Sequence, residues 1–191
     1  MNPPVPHLVL SREGIAHHVG RIAREIEAAH PNGVVLVGVL KGSLVFLADL
    51  ARALEHIAVE VDFLAISRFA PDSGRVRILK DLDTDVVGRD VIVVEDIVDT
   101  GLTLGYLLRQ LEDRGARSVE VCTLLDRASR RIVPQAVDYR GIECDEGFVL
   151  GYGLHVRDLY RNLPFIVAVD RDTVHSNPAA FVDVLYGSGA S

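Results

Sequence analysis

Three carboxylates and two threonines stand close together in the stretch VVEDIVDTGLT, which runs from Val93 to Thr103. Glu95 and Asp96 follow an apolar run, and Asp99 stands directly before Thr-Gly. Because unpaired carboxylates are costly to bury, we expect a cationic or hydroxyl-rich partner there. The pair of Glu95 and Asp96 suits sugar hydroxyls or a hydrated Mg²⁺. The residues from Thr100 onward begin a predicted helix, whose backbone N–H groups and threonine hydroxyls suit a phosphate.

Helix capping is the alternative explanation for part of this stretch. Asp99 or Thr100 at the start of a helix would accept a backbone N–H without any ligand. Capping does not account for Glu95 and Asp96, which end an apolar run. The interpretation that explains all of them is a site for a phosphorylated sugar, which presents hydroxyls and phosphate side by side.

The elements that must position these residues alternate between strands and helices. Apolar runs predict strands at 34–40, 59–66, 91–94 and 119–125. Apolar residues three or four apart predict helices that start after Ser11 and at 44–54 and 102–113. This alternation is typical of an α/β domain with a mainly parallel, twisted sheet flanked by helices. Ligands bind such sheets beyond the carboxyl ends of the strands, where Glu95, Asp96 and Asp99 are expected.

Later segments predict shorter strands at 77–82, 137–143, 148–153 and 165–170. We assign residues 1–191 to a single domain. Its small hood subdomain is expected to consist of N-terminal residues and roughly residues 136–191.

Composition and charge exclude several classes of protein. The chain of 191 residues has a formal net charge of −7, which argues against a nucleic-acid partner. No run reaches the ~18 apolar residues of a membrane span, and MNPPVPHLVL lacks the pattern of a signal peptide. The two cysteines have no CxxC spacing. We therefore expect a cytoplasmic protein without a membrane partner.

The stretch VVEDIVDTGLTL consists of the end of an apolar strand, two acids and then D-T-G-x-T. It resembles the phosphoribosyl diphosphate (PRPP) motif of type I phosphoribosyltransferases. VGVLKGSLVFLADL is similar to the diphosphate loop of the hypoxanthine-guanine subgroup. RILKDLD, TLLDRASRR and GFVLGYG resemble segments of that subgroup in the same order, and the resemblance covers roughly Leu8 to Val169.

The resemblance implies the type I phosphoribosyltransferase fold. It also implies transfer of the 5-phosphoribosyl group from PRPP to a 6-oxopurine in purine salvage, with Mg²⁺ as cofactor. A homodimer or homotetramer is implied as well.

The resemblance implies a role for each matched residue. Asp99 is the implied general acid/base near purine N7. The residues implied to bind PRPP are Glu95, Asp96, Asp99, Thr100, Gly101, Leu102, Thr103, Leu40, Lys41, Gly42 and Arg161. The residues implied to bind the base are Arg127, Phe148 and Val149. Glu95 and Asp96 are implied metal ligands, and the Leu40–Lys41 peptide is implied to be cis. The alternatives are a core aromatic at Phe148 and a surface arginine at Arg161.

Three positions depart from the subgroup. Arg127 replaces a lysine that donates to purine O6, and a planar guanidinium is not equivalent to an ammonium. His155 replaces an aspartate that helps to hold Mg²⁺. It is a candidate metal ligand, but Mg²⁺ prefers oxygen ligands, and the alternatives are that His155 bonds a phosphate or only packs. Arg68 and Phe69 stand in the mobile loop, which usually carries Ser-Tyr.

These departures leave other functions open. One alternative is a phosphoribosyltransferase for a modified, purine-like heterocycle in a dedicated pathway. Another is a non-catalytic PRPP-sensing regulator, although the acidic net charge and the presence of both Asp99 and Lys41 favour catalysis. A nucleotidase or kinase of α/β type is disfavoured because the sequence contains no GxxxxGK[ST] motif.

Overall fold

The computed structural model describes residues 5–67 and 77–187. The chain divides into two compact units. One contains the residues up to Ile15 and from Glu146 onward, and the other runs from Ala16 to Asp145. Arg68 and Phe69, which the sequence predicts in a mobile loop, lie outside the described residues.

Nine strands and five α-helices make up the described chain. The strands are β1 (His7–Leu10), β2 (Val34–Leu40), β3 (Val59–Ser67), β4 (Arg77–Lys80), β5 (Asp90–Val98), β6 (Ser118–Asp126), β7 (Tyr139–Glu143), β8 (Phe148–Leu150) and β9 (Ile166–Val169). The helices are α1 (Arg12–Ala29), α2 (Leu44–Ala53), α3 (Leu102–Asp113), α4 (Arg171–Ser176) and α5 (Val182–Tyr186). A short 3-10 helix spans Ala128–Arg130.

The larger unit contains a six-stranded sheet in the order β4-β3-β2-β5-β6-β7. Every neighbouring pair is parallel except β3 with β4. The prediction of a mainly parallel sheet is therefore confirmed. In β2, the residues from Val34 to Val39 are buried, as expected for a valine-rich strand covered on both faces.

Strand β5 is longer than the sequence predicts. The prediction ended it at Val94, but the strand continues to Val98 and includes Glu95 and Asp96. Its ladder with β6 continues through Glu95 opposite Thr123 and Val98 opposite Asp126. Backbone hydrogen bonds form this ladder whatever the side chains are, so the loss of apolar character at residue 95 does not end the strand.

The smaller unit contains an antiparallel three-stranded sheet in the order β1-β9-β8. Its core consists of Leu150, Val156, Tyr160, Leu163, Val167, Val174 and Phe181. The C-terminal part of this unit begins at Glu146 and not near residue 136, because β7 pairs in parallel with β6 in the larger sheet. In the described ranges, no helix is both long enough and apolar enough to cross a membrane.

Candidate active site

The carboxyl ends of β2 and β5 meet at one edge of the larger sheet. The turn after β2 brings Gly42 against the Asp96 carboxylate, so that a Cβ at Gly42 would lie 2.0 Å from Asp96 Oδ2. Asp96 Oδ1 accepts a hydrogen bond from Ile97 N at 2.9 Å, which helps to fix the carboxylate. The Leu40–Lys41 peptide is cis, as the resemblance implied. The structure thus brings the predicted diphosphate turn and the acidic pair together.

The start of α3 is arranged differently from a capped helix. Gly101 occupies the N-cap position with a φ of 79°, and no side chain of the described residues makes a capping hydrogen bond there. The capping explanation for Asp99 and Thr100 is therefore wrong. The first N–H groups of a helix have no intrahelical acceptor. Leu102 is exposed and Thr103 is half-buried, so this helix start suits the anion that the sequence predicts.

Asp99 follows β5 directly and lies among arginines. Arg127 Nη1 is 4.0 Å from Asp99 Oδ2, and Arg130 Nε is 3.3 Å from Asp99 Oδ1. Arg127 is 5% exposed, which is unusual for an arginine, so its guanidinium charge is buried in the protein. The structure therefore brings together the predicted catalytic acid and the predicted base-binding arginine.

A segment after β6 supports the loop that carries Asp99. Arg127 N donates to Val98 O at 2.9 Å, and Ile132 N and Val133 N donate to Thr100 O at 2.9 and 3.1 Å. A Cβ at Gly101 would lie 2.6 Å from Val133 O, so glycine permits this close approach as well as the positive φ. We call residues 99–103 the phosphate loop. We call residues 127–133 the brace, because they contact Thr100 and Gly101 of that loop and the strand end before it.

No role is predicted from the sequence for the brace or for the charges around it. Asp126 is buried and pairs with Arg131 and with Arg140, whose Nη1 lies 3.3 Å from Asp126 Oδ2. Arg130 likewise had no predicted role. The only signal was the density of arginines in TLLDRASRR, and spacing alone does not say which arginine meets which carboxylate.

The KDLD segment has a structural function next to β3 of the larger sheet. Lys80 Nζ donates to Asp62 Oδ1 at 3.3 Å and to Asp83 Oδ2 at 3.1 Å. Burial by itself raises the pKa of Asp62, but backbone N–H donors and the Lys80 ammonium outweigh burial and lower this pKa to about 2. The backbone donors are Thr84 at 2.8 Å, Phe63 at 2.7 Å and Asp83 at 2.8 Å.

In the smaller unit, the loop from Gly151 to Arg161 holds the other predicted phosphate ligands. Arg161 donates through Nε and Nη2 to Asp158 Oδ1 at 3.1 and 2.9 Å, and through Nη1 to Gly153 O. It is thus an ordered part of the loop and not a solvated surface arginine. Three of its five N–H groups are used in these contacts, which leaves donors for a phosphate.

The same loop has an unusual backbone. All the non-glycine residues with positive φ in the described ranges lie in it, namely Tyr152, Arg157, Asp158 and Tyr160. Such conformations cost of the order of 1–3 kcal/mol each and are concentrated at functional sites. The surrounding hydrogen bonds, Tyr152 N to Leu163 O and Gly153 N to Arg161 O, both at 2.9 Å, hold the loop in this form.

His155 lies in this loop and accepts a backbone hydrogen bond through its ring. Asp158 N donates to His155 Nδ1 at 3.0 Å, so Nε2 carries the proton of the neutral ring. A neutral ring in this tautomer has no lone pair for a metal, which argues against His155 as a Mg²⁺ ligand. Nε2 is instead a hydrogen-bond donor suited to an anion.

The predicted base-binding residues of the smaller unit lie in β8. Phe148 is half-buried at the border of the core of this unit. Its ring meets His175 edge to face, with centroids 5.5 Å apart and an interplanar angle of 80°. Val149 is 6% exposed and pairs with Ala168 of β9. Phe148 is therefore only partly used by the core, and the rest of its ring is accessible.

The donor set fits Mg²⁺ that arrives with a phosphorylated substrate. Among residues 5–67 and 77–187, no group of three or more His, Cys, Asp or Glu side chains is arranged to hold a metal ion. Mg²⁺ usually keeps several waters and binds one or two carboxylates together with substrate phosphates. Glu95 and Asp96, both half-buried near the end of β5, supply such a pair.

Comparisons with known proteins agree with this geometry. Residues 9–157 match the model of the phosphoribosyl transferase domain. The hypoxanthine-guanine phosphoribosyltransferase of Bacillus subtilis (strain 168) is 40% identical over 170 residues, which are 87% of this chain and 94% of that protein. Its counterpart in Mycobacterium avium is 42% identical over 176 residues, covering 87% and 86%.

The solved structures lead to the same family. A hypoxanthine-guanine phosphoribosyltransferase from Bacillus anthracis matches with a TM-score of 0.83 and 37% identity, over 87% of this chain and 100% of that chain. A hypoxanthine phosphoribosyltransferase from Staphylococcus aureus matches with a TM-score of 0.83 and 33% identity, over 87% and 92%. With this sequence, this sheet order and this site, the chain belongs to the phosphoribosyl transferase family and has its type I fold.

Proposed function

We propose that the protein transfers the 5-phosphoribosyl group of PRPP to N9 of a 6-oxopurine, hypoxanthine or guanine. The products are the nucleoside 5′-monophosphate and diphosphate, as in purine salvage. One observation carries this proposal, the position of Asp99. It lies between the start of α3, where Gly101 is the N-cap residue, and the buried guanidinium of Arg127. The names of the relatives support the same activity.

Each group has a distinct part in the proposed reaction. The purine N9 attacks C1′ of the ribose, the N9–C1′ bond forms and the bond from C1′ to the diphosphate oxygen breaks. Asp99 takes the proton from purine N7 as the base gives electrons to C1′. Arg127 donates to purine O6, the acceptor that distinguishes a 6-oxopurine from a 6-aminopurine.

Two sets of residues are proposed to bind PRPP. One set lies at the carboxyl edge of the larger sheet, and the other lies in the loop from Gly151 to Arg161. The N–H groups and hydroxyls from Thr100 to Thr103 hold the 5′-phosphate, and Glu95 and Asp96 bind the ribose hydroxyls. The turn of residues 40–42 holds the diphosphate. Arg161 and His155 Nε2 each donate to a phosphate oxygen. These donors stabilise charge as it develops on the leaving diphosphate.

We propose Mg²⁺ as the cofactor, held by Glu95 and Asp96 together with PRPP. When bound, it supplies positive charge that stabilises the leaving diphosphate. Phe148 is proposed to stack on the base and Val149 to contact it through its backbone. We further propose a cytoplasmic homodimer or homotetramer, in line with the family resemblance.

Release of diphosphate from PRPP with a panel of bases tests the proposed function. The panel contains hypoxanthine, guanine, xanthine, adenine and deazapurines, each with Mg²⁺. We expect release with hypoxanthine or guanine, and little with adenine. Release only with an unusual heterocycle would instead support the altered-substrate alternative. Tight binding of PRPP without release for any base would support a regulator.

A further inference from the structure

We infer that Arg130 is a positioning residue for Asp99. It holds the buried oxygen of the carboxylate, Oδ1, and thereby directs the other oxygen, Oδ2, toward the purine. This inference rests on the proposed role of Asp99 as general acid/base. It adds a residue to which the motif resemblance assigned no role.

The two oxygens of Asp99 have different surroundings. Oδ1 is buried and accepts no hydrogen bond from the described residues, and Arg130 Nε lies 3.3 Å from it. The Asp99 side chain as a whole is 36% exposed. Because Oδ1 is buried, the other side-chain atoms account for this exposure. A buried carboxylate oxygen needs a compensating positive group, and the Arg130 guanidinium supplies it.

Arg130 is itself tied to the loop that it serves. It ends the 3-10 helix, where Arg130 N donates to Arg127 O at 3.0 Å. Just beyond it, Ile132 N and Val133 N both donate to the carbonyl oxygen of Thr100, the residue after Asp99. The backbone on both sides of Arg130 is therefore fixed relative to Asp99, so the ion pair is preorganised.

The expected contribution is to the reaction more than to the binding of PRPP. Asp99 must present one oxygen to purine N7 while the proton moves, and small displacements of a catalytic group are costly. Without Arg130 the carboxylate can rotate away from its present orientation, in which Oδ2 lies 4.0 Å from Arg127 Nη1. The proton acceptor would then be misdirected, although the phosphate loop would still be present.

Substitution of Arg130 by Gln and by Lys tests the inference, with Arg140→Gln as the matched control. Arg140 is a good match because its side chain is 48% exposed against 52% for Arg130, and its distance to a carboxylate is also 3.3 Å. We expect R130Q to lower kcat about tenfold. This loss is part of the roughly 10²–10⁴-fold rate enhancement that general acid–base catalysis supplies. The Kd for PRPP should stay within about twofold, and R130K should recover part of the loss because it keeps the charge.

A second set of variants separates this inference from the proposed role of Asp99. Asp99→Asn alone should lower kcat strongly, and adding R130Q to it should cause no further loss, because the residue that Arg130 positions is then inactive. If D99N keeps full activity, the proposed role of Asp99 fails. If D99N is impaired but R130Q equals R140Q, only the role of Arg130 fails.

Two further readouts keep the test decisive. A raised KM for the base with unchanged kcat would overturn the inference, since Arg130 would then be a direct substrate ligand. Thermal melting of each variant is measured alongside, and R130K decides the outcome if R130Q melts early.

Discussion

Gly42 and Asp96 are in such close contact that a Cβ at Gly42 would lie 2.0 Å from Asp96 Oδ2 and 2.6 Å from Asp96 Cγ. One residue belongs to the turn after β2 and the other to β5, the neighbouring strand in the sheet. The contact sets the spacing between the proposed diphosphate turn and the proposed ribose and metal ligand. Only glycine allows this spacing without movement of the turn or of the carboxylate.

Gly42→Ala is therefore expected to lower kcat/KM for PRPP by about 10²-fold. The new methyl group must displace the turn or the Asp96 carboxylate, and a misplacement of about 1 Å in an active site lowers the rate by roughly that factor. Steady-state kinetics and PRPP binding check this. The matched control is Gly20→Ala in α1, where the nearest neighbour of the new Cβ is Arg24 Nη1 at 3.5 Å. That control should keep its activity and gain about 0.5–1 kcal/mol of unfolding free energy. Normal PRPP kinetics in G42A would contradict the proposed role of this contact.

Arg127 should determine the choice of base. Arg127→Lys, which restores the lysine of the subgroup, should keep kcat/KM for hypoxanthine within about tenfold. Arg127→Gln should lower it about 10–10²-fold, because a charged donor to O6 is lost. The measurement is the ratio of kcat/KM for hypoxanthine to that for adenine. Arg52→Gln is the control, since Arg52 is 79% exposed and pairs at the surface with Asp49. An unchanged ratio in R127Q would remove Arg127 from base recognition.

Asp62 should make the stability depend on pH in acid. Its pKa is lowered from 3.8 to about 2, so its stabilisation is complete above about pH 4 and is lost as the pH falls toward 2. Asp62→Asn should cost about 1–3 kcal/mol of unfolding free energy at pH 7 and less at pH 3. Urea unfolding at several pH values measures the difference from the unsubstituted protein.

Asp83→Asn provides the comparison for Asp62. Asp83 also pairs with Lys80, at 3.1 Å, but its side chain is 89% exposed. Its substitution should cost less than about 0.5 kcal/mol, as expected for an exposed ion pair. A cost for D83N equal to that of D62N would mean that the Lys80 charge, and not the buried carboxylate, stabilises this region.

Removal of metal should stop the reaction without unfolding the protein. EDTA is expected to abolish diphosphate release, and excess Mg²⁺ should restore it. The melting temperature of the ligand-free protein should not change, because no cluster of three or more metal-binding side chains occurs in the described residues. Calorimetry with and without PRPP provides the check. A fall in melting temperature on addition of EDTA alone would indicate a resident metal ion.

The sequence alone predicted the elements and the local motifs of the larger unit. Valine-rich runs predict buried strands, and the observed helices at 44–53 and 102–113 agree closely with the predictions. These features depend on residues a few positions apart, so they can be recognised along the chain. The prediction was wrong at the end of β5, where the ladder with β6 and not the local pattern decides where the strand stops.

The contacts that build the site were decided by tertiary structure. Asp99 meets Arg130 because β5 and β6 are neighbours and the segment after β6 returns over the phosphate loop. Gly42 meets Asp96 because β2 lies next to β5. Residue types thus determine which chemistry is available. Strand order determines which charges and glycines meet, because parallel strands gather their carboxyl ends at one edge whatever their distance along the chain.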